Sequence, residues 1–238
     1  ISQLNTEEVN VVTLEDPVEY NIDGVNQVQI NEKTGMDFAN GLRAILRQDP
    51  DIIAVGEIRD GETAQISMRA AITGHVVLST IHTNDAVGTI ERLEDIGVEP
   101  YLIATALRAV ISQRLVRRIC PKCKKSYEAT DEEVRRLGLS TEHKHIFYRG
   151  EGCADCFNTG YRGRIGVFEI LEITPEIRPL ISQQAGRPAI EQELTSAHSE
   201  FKTLRENAIQ LVEEGITTAE EVQRVIYETG DMKKAEEE

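Results

Sequence analysis

Polar side chains that could do chemistry follow short apolar runs in the N-terminal part of this chain. They are Glu15, Asp16, Glu19, Glu57, Arg59, His82 and Thr83. A carboxylate can orient or deprotonate a water molecule, and carboxylate oxygens can hold the waters around Mg²⁺. A hydroxyl or imidazole group can sense a phosphate, and arginine stabilises developing negative charge. These residue types together suit the transfer of a phosphoryl group to water.

The apolar runs are predicted strands, and the amphipathic segments between them are predicted helices. Strands are expected at residues 9–14, 24–30, 52–55 and 76–81. Helices are expected at residues 36–47, at 62–72, after Asn84 or Asp85, and at 101–118. This alternation indicates a parallel α/β sheet, in which the carboxyl ends of the strands share one edge. The candidate side chains are therefore expected to meet at that edge.

Two arginines add to the candidate site, because Arg43 and Arg47 are four residues apart and share one helix face. Each candidate also has a simpler interpretation. An acid at a strand end often caps a helix, a single histidine often has a structural role, and an arginine pair at this spacing often faces solvent. The arrival of such groups at three strand ends favours a shared site.

The loop that would hold the phosphates of a nucleotide is absent from this sequence. No G-x-x-x-x-G-K-[ST] motif occurs in the 238 residues. The loop would belong directly before Ile1, because residues 1–4 resemble the end of the helix that follows such a loop. We therefore expect the chain to be a piece of a longer protein and to be inactive by itself.

Three stretches of the chain resemble signature motifs of the type II secretion and type IV pilus assembly ATPases. TLEDPVEY (residues 13–20) resembles the Asp box, LRQDPDIIAVGEIRD (46–60) the Walker B motif and TGHVVLSTIHTNDA (73–86) the His box. The resemblance covers nearly the whole chain. It implies a RecA-like P-loop NTPase core, incomplete at its N-terminus, that forms hexameric rings and hydrolyses ATP.

The resemblance also implies roles for individual residues. The expected catalytic set is Glu57, Glu15, Asp16, Glu19, Arg43 and Arg47. The expected cofactor-binding set is His82, Thr83, His75 and Arg59. Glu57 would be the catalytic carboxylate and His82 would contact the γ-phosphate. The other acids would contact Mg²⁺ or water, and the arginines of the catalytic set would face the nucleotide.

Four cysteines form two C-x-x-C pairs with 29 residues between them: Cys120, Cys123, Cys153 and Cys156. Four thiolates predict a closed tetrahedral zinc site, whose role should be structural because no coordination position is open. A redox-active pair is the rival interpretation, and two matched pairs argue against it. His143 and His145, between the pairs, are expected to be bystanders. In the family that the chain resembles, this insertion favours an assembly motor over a retraction motor.

The formal net charge of −15 disfavours general binding to nucleic acid, whose phosphates attract Lys and Arg. No apolar run is long enough for a membrane span and no secretory leader begins the chain, so a cytoplasmic location is expected. The resemblance implies a homohexamer at the inner face of the cytoplasmic membrane. There it would act with an inner-membrane platform protein and other secretion or pilus components, and would be peripheral to the membrane through them.

Four segments are expected along the chain. They are an ATPase core at 1–117, a zinc-binding subdomain at 118–169, a C-terminal helical region at 170–230 and a charged tail at 231–238. The leading hypothesis is a motor that hydrolyses ATP to power pseudopilus or type IV pilus assembly and protein secretion. The alternative is a zinc-stapled interaction module without ATPase activity in the chain as given. A DNA-transport ATPase of related fold is disfavoured by the cysteines and the charge.

Overall fold

Four short strands form a parallel sheet in the order β2-β1-β3-β4. They are β1 (Val11–Glu15), β2 (Asn26–Gln29), β3 (Ile52–Val55) and β4 (Val76–Ser79). Leu14, Ile53 and Val55 on the two central strands are buried, as expected for apolar strands covered on both faces. The sheet confirms the parallel α/β architecture that the alternating pattern predicts.

The computed structural model describes residues 1–196 and 200–227, and these pack as two compact units. Among the described residues, unit 1 contains 1–83, 87–110 and 172–196, and unit 2 contains 84–86, 111–171 and 200–227. The charged tail expected at 231–238 lies outside the described residues. The division into four segments remains a prediction.

The helices of the described residues alternate with the strands of the first sheet and then fill the C-terminal part. They are α1 (Phe38–Ile45), α2 (Gly61–Ile72), α3 (Ala86–Asp95), α4 (Pro100–Ala106), α5 (Asp131–Arg136), α6 (Ile177–Ser182), α7 (Arg187–Leu194), α8 (Leu204–Glu213) and α9 (Ala219–Val222). A π-helical turn, Gln223–Tyr227, follows α9. Within these ranges no helix has the length and apolar character that a membrane crossing requires.

Two helices of unit 1 begin at aspartate caps beside the sheet. Asp37 accepts a hydrogen bond from the N–H of Asn40 at 2.7 Å, and Asp60 accepts one from the N–H of Thr63 at 2.8 Å. Such caps satisfy N–H groups that have no partner inside the helix. The cap at Asp60 therefore fixes where the loop after β3 ends and α2 begins.

The predicted helix at residues 101–118 is wrong in its second half. The helix α4 ends at Ala106, because Leu107 adopts an extended conformation with ψ of 131°. Residues Ala109–Ile119 form strand β5, along which the side chains that turn inward alternate with exposed ones as far as Val116. The burial of this stretch therefore follows a period of two, which is that of a strand, although Ser112 turns inward while Ile111 and Leu115 are exposed.

Unit 2 is built around two small two-stranded sheets. β5 pairs with β8 (Tyr161–Glu172), and β6 (Lys124–Glu128) pairs antiparallel with β7 (Ile146–Gly150). Strand β8 continues past residue 169, so the C-terminal region expected to be helical begins with the end of a strand. The core of unit 2 consists of Val116, Val134, Leu137, Phe147, Val167, Leu204, Ala208, Val212, Ala219 and Val222.

A fully buried carboxylate attaches α9 to β5 within unit 2. Glu221 accepts hydrogen bonds from the N–H and Nε of Arg117 at 3.0 and 2.8 Å and from Nη2 of Arg224 at 2.8 Å. The Arg117 guanidinium also lies 4.0 Å from the ring centroid of Tyr161. Burial alone raises the pKa of Glu221, but the bonds from Arg224 and Arg117 outweigh it and lower this pKa to about 2.

We expect Glu221 to make folding stability sensitive to acid. Its pKa in the folded state, about 2, lies below the ordinary value of 4.5. The ionised group therefore stabilises the fold above about pH 4.5, and this contribution, on the order of 3 kcal/mol, is lost as the pH falls toward about 2. Urea unfolding between about pH 6 and pH 3 should show a steeper loss for the unsubstituted protein than for Glu221→Gln. The exposed neighbour Glu220, changed to Gln, is the control; an unaltered pH dependence in Glu221→Gln would contradict the assignment.

Candidate active site and metal centre

Glu57 lies two residues beyond β3, and its carboxylate connects the end of this strand to the segment after β4. Its Oε1 accepts a hydrogen bond from Nη2 of Arg59 at 2.6 Å, and its Oε2 lies 3.5 Å from Nε2 of His82. The side chain of Glu57 is 18% exposed, whereas that of His82 is 91% exposed. A largely buried carboxylate therefore lies beside two groups that can bind an anion from solvent. We call Glu57, Arg59 and His82 the Glu57 cluster.

Backbone hydrogen bonds at the strand ends hold Glu57 in this position. The N–H of Gly56 donates to the carbonyl of Leu14 at 2.7 Å, and the N–H of Ile58 donates to the carbonyl of Thr80 at 2.9 Å. The Thr80 hydroxyl donates to the carbonyl of Gly56 at 2.7 Å. A Cβ atom at Gly56 would lie 2.9 Å from the Leu14 carbonyl oxygen, so a side chain there would push the strand ends apart. Sequence analysis missed Gly56 and Thr80, although a glycine directly after a buried strand is a signal of close backbone approach.

Arg59 favours the ionised form of Glu57. Its hydrogen bond and positive charge lower the pKa of Glu57 below the ordinary value, against the opposing effect of burial. In return, the bond to Glu57 raises the pKa of Arg59, and the charge of Asp16 adds to this effect. Glu57 is therefore ionised at neutral pH, where it can accept a hydrogen bond from a water molecule and orient it.

The acids at the end of β1 are held in two different ways. Oε1 of Glu15 accepts hydrogen bonds from the Thr13 hydroxyl at 2.6 Å and from Nε2 of Gln27 at 2.8 Å. Asp16 and Glu19 are exposed in the loop that follows. Glu15 is therefore fixed on the sheet, while Asp16 and Glu19 present their carboxylates to solvent.

The arginines of the predicted catalytic set lie on and just after α1. Arg43 forms an ion pair with Glu62 on α2, and both side chains are exposed. Arg47 is exposed in the short 3₁₀ turn Leu46–Gln48. The contact of Arg43 thus joins two helices, and the structure does not bring it to Glu57.

Two predicted nucleotide-binding residues lie at opposite ends of β4. Nδ1 of His75 lies 2.9 Å from the carbonyl oxygen of Ala70 and 3.2 Å from the Thr73 hydroxyl, so His75 completes the C-terminal end of α2 before β4 begins. Thr83 follows β4, beside His82, and its hydroxyl hydrogen-bonds that of Thr89 at 2.9 Å. Thr83 is therefore adjacent in sequence to His82 of the Glu57 cluster, whereas His75 lies at the other end of β4.

The cysteine sulfurs of unit 2 form a compact cluster within 4.8 Å of one another. The distances between Sγ atoms are 3.9 Å for Cys120–Cys153, 3.8 Å for Cys123–Cys156 and 3.7 Å for Cys153–Cys156. A tetrahedron of sulfurs at the usual Zn–S distance has edges of about 3.8 Å. All four cysteines are free of disulfides. The donor set and its spacing therefore fit a zinc ion.

The pairing of β6 with β7 brings the two cysteine pairs together. β6 begins directly after Cys123, and β7 ends at Gly150, three residues before Cys153. Lys124 pairs with Gly150 in the register of this sheet. A Cβ atom at Gly150 would lie 2.1 Å from the Gly160 carbonyl oxygen, so only glycine permits this approach. The 29 residues between the pairs thus contain a local sheet that brings the two halves of the cluster together.

The cysteine cluster contains thiols of very different acidity. Burial acts to raise the pKa of Cys156, but hydrogen bonds from the backbone at Cys153 and Gly160 outweigh it and lower this pKa to about 6. Burial raises the pKa of Cys123 to about 12. A bound metal ion would favour the thiolate form of every ligand.

Both candidate sites lie inside a region that matches a known family. A family model described as "Type II/IV secretion system protein" matches residues 1–224. The chain belongs to this family. The match runs through all three strand ends and both cysteine pairs.

Relatives of this type II/IV secretion system protein are considerably longer. The "Type II secretion system ATPase E" of Vibrio cholerae is 47% identical over 229 residues, which are 96% of this chain and 45% of the relative. The "Type IV pilus assembly ATPase PilB" of Thermus thermophilus is 50% identical over 224 residues, which are 93% of this chain and 25% of the relative. The chain thus spans about half or less of the length of these two curated relatives.

Solved structures agree with the fold of this family member. The pilus retraction motor PilT with bound ADP matches with a TM-score of 0.66 and 29% identity, covering 97% of this chain and 55% of that one. The ATPase DotB of Legionella pneumophila matches in fold with a TM-score of 0.63 and 23% identity, covering 92% of this chain and 52% of that one. This type II/IV secretion system protein therefore has an α/β ATPase fold.

Proposed function

We propose that this type II/IV secretion system protein is the ATP-hydrolysing part of a motor that powers pseudopilus or type IV pilus assembly and protein secretion. The relatives named as a type II secretion ATPase and a type IV pilus assembly ATPase support the proposal. The observation that carries it is the ionised Glu57 between Arg59 and His82, at the carboxyl ends of two parallel strands.

ATP is the proposed substrate, and Glu57 is the residue that orients the attacking water. Because Arg59 lowers the pKa of Glu57, the carboxylate accepts a hydrogen bond from water and directs its oxygen toward the γ-phosphorus. The new bond joins the water oxygen to the γ-phosphorus as the bond from this phosphorus to the bridging oxygen breaks. ADP and inorganic phosphate leave, and the proton lost by the water passes to Glu57 and from there to solvent. The solvent-exposed imidazole of His82 would donate a hydrogen bond to the γ-phosphate.

The remaining acids and arginines have supporting roles in the proposal. Glu15, Asp16 and Glu19 would hold Mg²⁺ directly or through its waters, because this ion prefers hard oxygen donors. When bound, the ion neutralises phosphate charge. Arg43 and Arg47 would face the nucleotide. His75 is left out of the proposed site because it caps α2 at the other end of β4.

The cysteine cluster is proposed to bind one zinc ion with a structural role, since four thiolates leave no open position for chemistry. The working assembly is proposed to be a homohexamer on the cytoplasmic side of the inner membrane, acting on a platform protein and other secretion or pilus components. A RecA-like core completed by a phosphate-binding loop is part of the same proposal. Contact with nucleic acid has no role in it, in keeping with the net charge of −15.

The test assays the purified full-length gene product in the presence of ATP and Mg²⁺. We expect steady phosphate release, and we expect deletion of the gene to abolish either the secretion of extracellular proteins or the formation of pili. Whether the deletion abolishes secretion or pili also distinguishes a type II secretion motor from a type IV pilus motor. A full-length product that folds and holds zinc but releases no phosphate would instead favour a zinc-stapled interaction module.

Replacing Arg43 with alanine is expected to lower kcat by about a hundredfold, the effect of removing one group that stabilises transition-state charge. The matched control is Arg69→Ala, which removes an exposed arginine from the last turn of α2. Phosphate release at saturating ATP measures both. If Arg43→Ala lowers kcat by less than about twofold, Arg43 has no role in catalysis and is only a solvent-exposed partner of Glu62.

A further inference from the structure

The side chain of Gln27 on β2 makes three hydrogen bonds, all within unit 1, and sequence analysis did not single it out. Its Nε2 donates to Oε1 of Glu15 at 2.8 Å and to the carbonyl of Tyr20 at 2.9 Å. Its Oε1 accepts from the N–H of Ile22 at 2.8 Å. Both the donor and the acceptor side of the amide are therefore used, which a carboxylate or an apolar side chain of the same size cannot reproduce.

The register of the sheet places Gln27 beside the end of β1. Thr13 pairs with Gln27, and Glu15 pairs with Gln29, in the parallel alignment of β1 with β2. Because side chains two residues apart on a strand point to one face, these four side chains share a face of the sheet. Thr13 is fully buried, and its hydroxyl donates to the same Oε1 of Glu15 at 2.6 Å. The carboxylate of Glu15 is thus held from both strands at once.

These bonds occupy only one oxygen of the half-buried Glu15. Within residues 1–196 and 200–227, no group donates a hydrogen bond to its Oε2. The two donors on Oε1 oppose rotation of the carboxylate, so the direction of the second oxygen is set by protein contacts. A carboxylate oxygen held in this way can ligate Mg²⁺ or accept a hydrogen bond from one of its waters.

The other two bonds of Gln27 hold the loop that carries the remaining acids. This loop, residues 16–25, connects β1 to β2 and contains the exposed Asp16 and Glu19. The two backbone groups that Gln27 binds lie within three residues of Glu19 along the chain. One side chain therefore orients Glu15 and also ties the loop with the other two acids to β2.

We propose that Gln27 is a positioning residue for the Mg²⁺ of ATP hydrolysis: it holds the carboxylates of Glu15, Asp16 and Glu19 in the arrangement that binds the ion or its waters. This inference rests on the proposed function. In this role Gln27 contacts neither the ion nor the reacting atoms, and no bond to it forms or breaks. Without its amide, the carboxylate of Glu15 rotates and the loop moves, so the ion is bound more weakly. Gln27 makes no bond to Glu57, so the group that acts on water keeps its place.

Gln29 provides a matched control for Gln27. It is a glutamine on the same strand and the same face, it is exposed, and within the described part of the chain its side chain makes no hydrogen bond. If a loss of polarity on this face of β2 were enough to disturb the site, the same substitution at either position should act alike.

The first experiment compares Gln27→Met with Gln29→Met in the full-length gene product, because methionine keeps the unbranched shape of glutamine and removes the amide. We expect Gln27→Met alone to raise the Mg²⁺ concentration for half-maximal phosphate release, by about tenfold, as for other residues that orient metal ligands. At saturating Mg²⁺ its kcat should stay within about threefold of the unsubstituted value. Equal shifts in the two variants, no shift in Gln27→Met, or a loss of kcat with an unchanged Mg²⁺ requirement would overturn the proposal.

Two measurements that do not depend on turnover follow the same contacts. Mn²⁺ bound together with a non-hydrolysable ATP analogue, detected by electron paramagnetic resonance, should have an affinity about tenfold lower in Gln27→Met. Amide hydrogen exchange at residues 18–24 should be faster in this variant, because the N–H of Ile22 loses its acceptor. Faster exchange with an unchanged Mn²⁺ affinity would show that Gln27 holds the loop without affecting the metal, and would overturn the proposal.

Gln27→Asn is the second variant, for use if Gln27→Met does not fold. It keeps an amide, but the shorter side chain cannot reach Glu15 and the loop together, so the same shifts in Mg²⁺ requirement and Mn²⁺ affinity are expected, with Gln29→Asn as its control. If the unsubstituted protein releases no phosphate, the proposed function fails. Normal turnover with the same Mg²⁺ requirement in the Gln27 and Gln29 variants overturns this inference alone.

Discussion

Replacing Glu57 with glutamine in the full-length gene product is expected to abolish ATP hydrolysis and to leave ATP binding intact. The amide has nearly the same size as the carboxylate, but it is neutral and cannot take a proton from the attacking water. Loss of a residue that orients and activates water lowers kcat by about a thousandfold. Binding should persist because the change removes no group that is expected to hold the nucleotide.

The measurements are phosphate release under saturating ATP and direct binding of a labelled ATP analogue. Glu99→Gln is the control, since Glu99 is an exposed acid at the start of α4 and makes no side-chain cap. Turnover of Glu57→Gln within about twofold of the unsubstituted protein would exclude the proposed role. Loss of ATP binding would show that Glu57 holds the nucleotide rather than the water.

Replacing Cys153 with serine is expected to release the metal and to destabilise unit 2. A serine hydroxyl is a poor zinc ligand, so zinc content should fall from about one per chain to near zero. Because structural zinc contributes its binding free energy to folding, we expect the thermal midpoint to fall by more than about 10 °C.

Metal analysis of the purified protein and a thermal scan measure these effects together. Ser126→Ala on β6 is the control, as it changes an exposed residue three positions beyond Cys123. Chelation of the unsubstituted protein should reproduce the thermal shift of Cys153→Ser. A metal-free protein with an unchanged midpoint would rule out a structural zinc site.

The sequence predicts the part of the candidate site that depends on backbone topology. The apolar strands and the residues that follow them are evident in the pattern, and the parallel sheet then brings Glu57 and His82 to one edge. The cysteine cluster is predicted equally well, because its residue types and spacing leave few alternatives. In both cases the residue types and their spacing along the chain carry the decisive information.

Features that depend on side-chain rotamers or on distant partners could not be predicted in this way. The pairing of Arg59 with Glu57 needs both rotamers, and the capping role of His75 needs the end of α2. The misassigned helix after residue 106 shows that residue type alone does not reveal the period of this stretch, because Ser112 is buried while Ile111 and Leu115 are exposed. Glu169, a buried acid on β8, was missed because no strand was predicted over β8. Once this strand is known, Glu169 is in phase with the buried Val167 and Leu171, so it turns inward, where it needs donors.

The small sheet of β6 and β7 affects how tightly the cysteine cluster can hold a metal ion. Closing a flexible loop of 29 residues would cost conformational entropy, which a metal ion joining two distant cysteine pairs would have to offset. Here the pairing of Lys124 with Gly150 closes the loop through protein contacts. A bound ion would therefore meet a preassembled chelate, and little of its binding free energy would be consumed by ordering the chain. We expect slow metal release from the same arrangement, because the backbone would keep a dissociated thiolate within reach of the metal, where it can rebind before the other ligands dissociate.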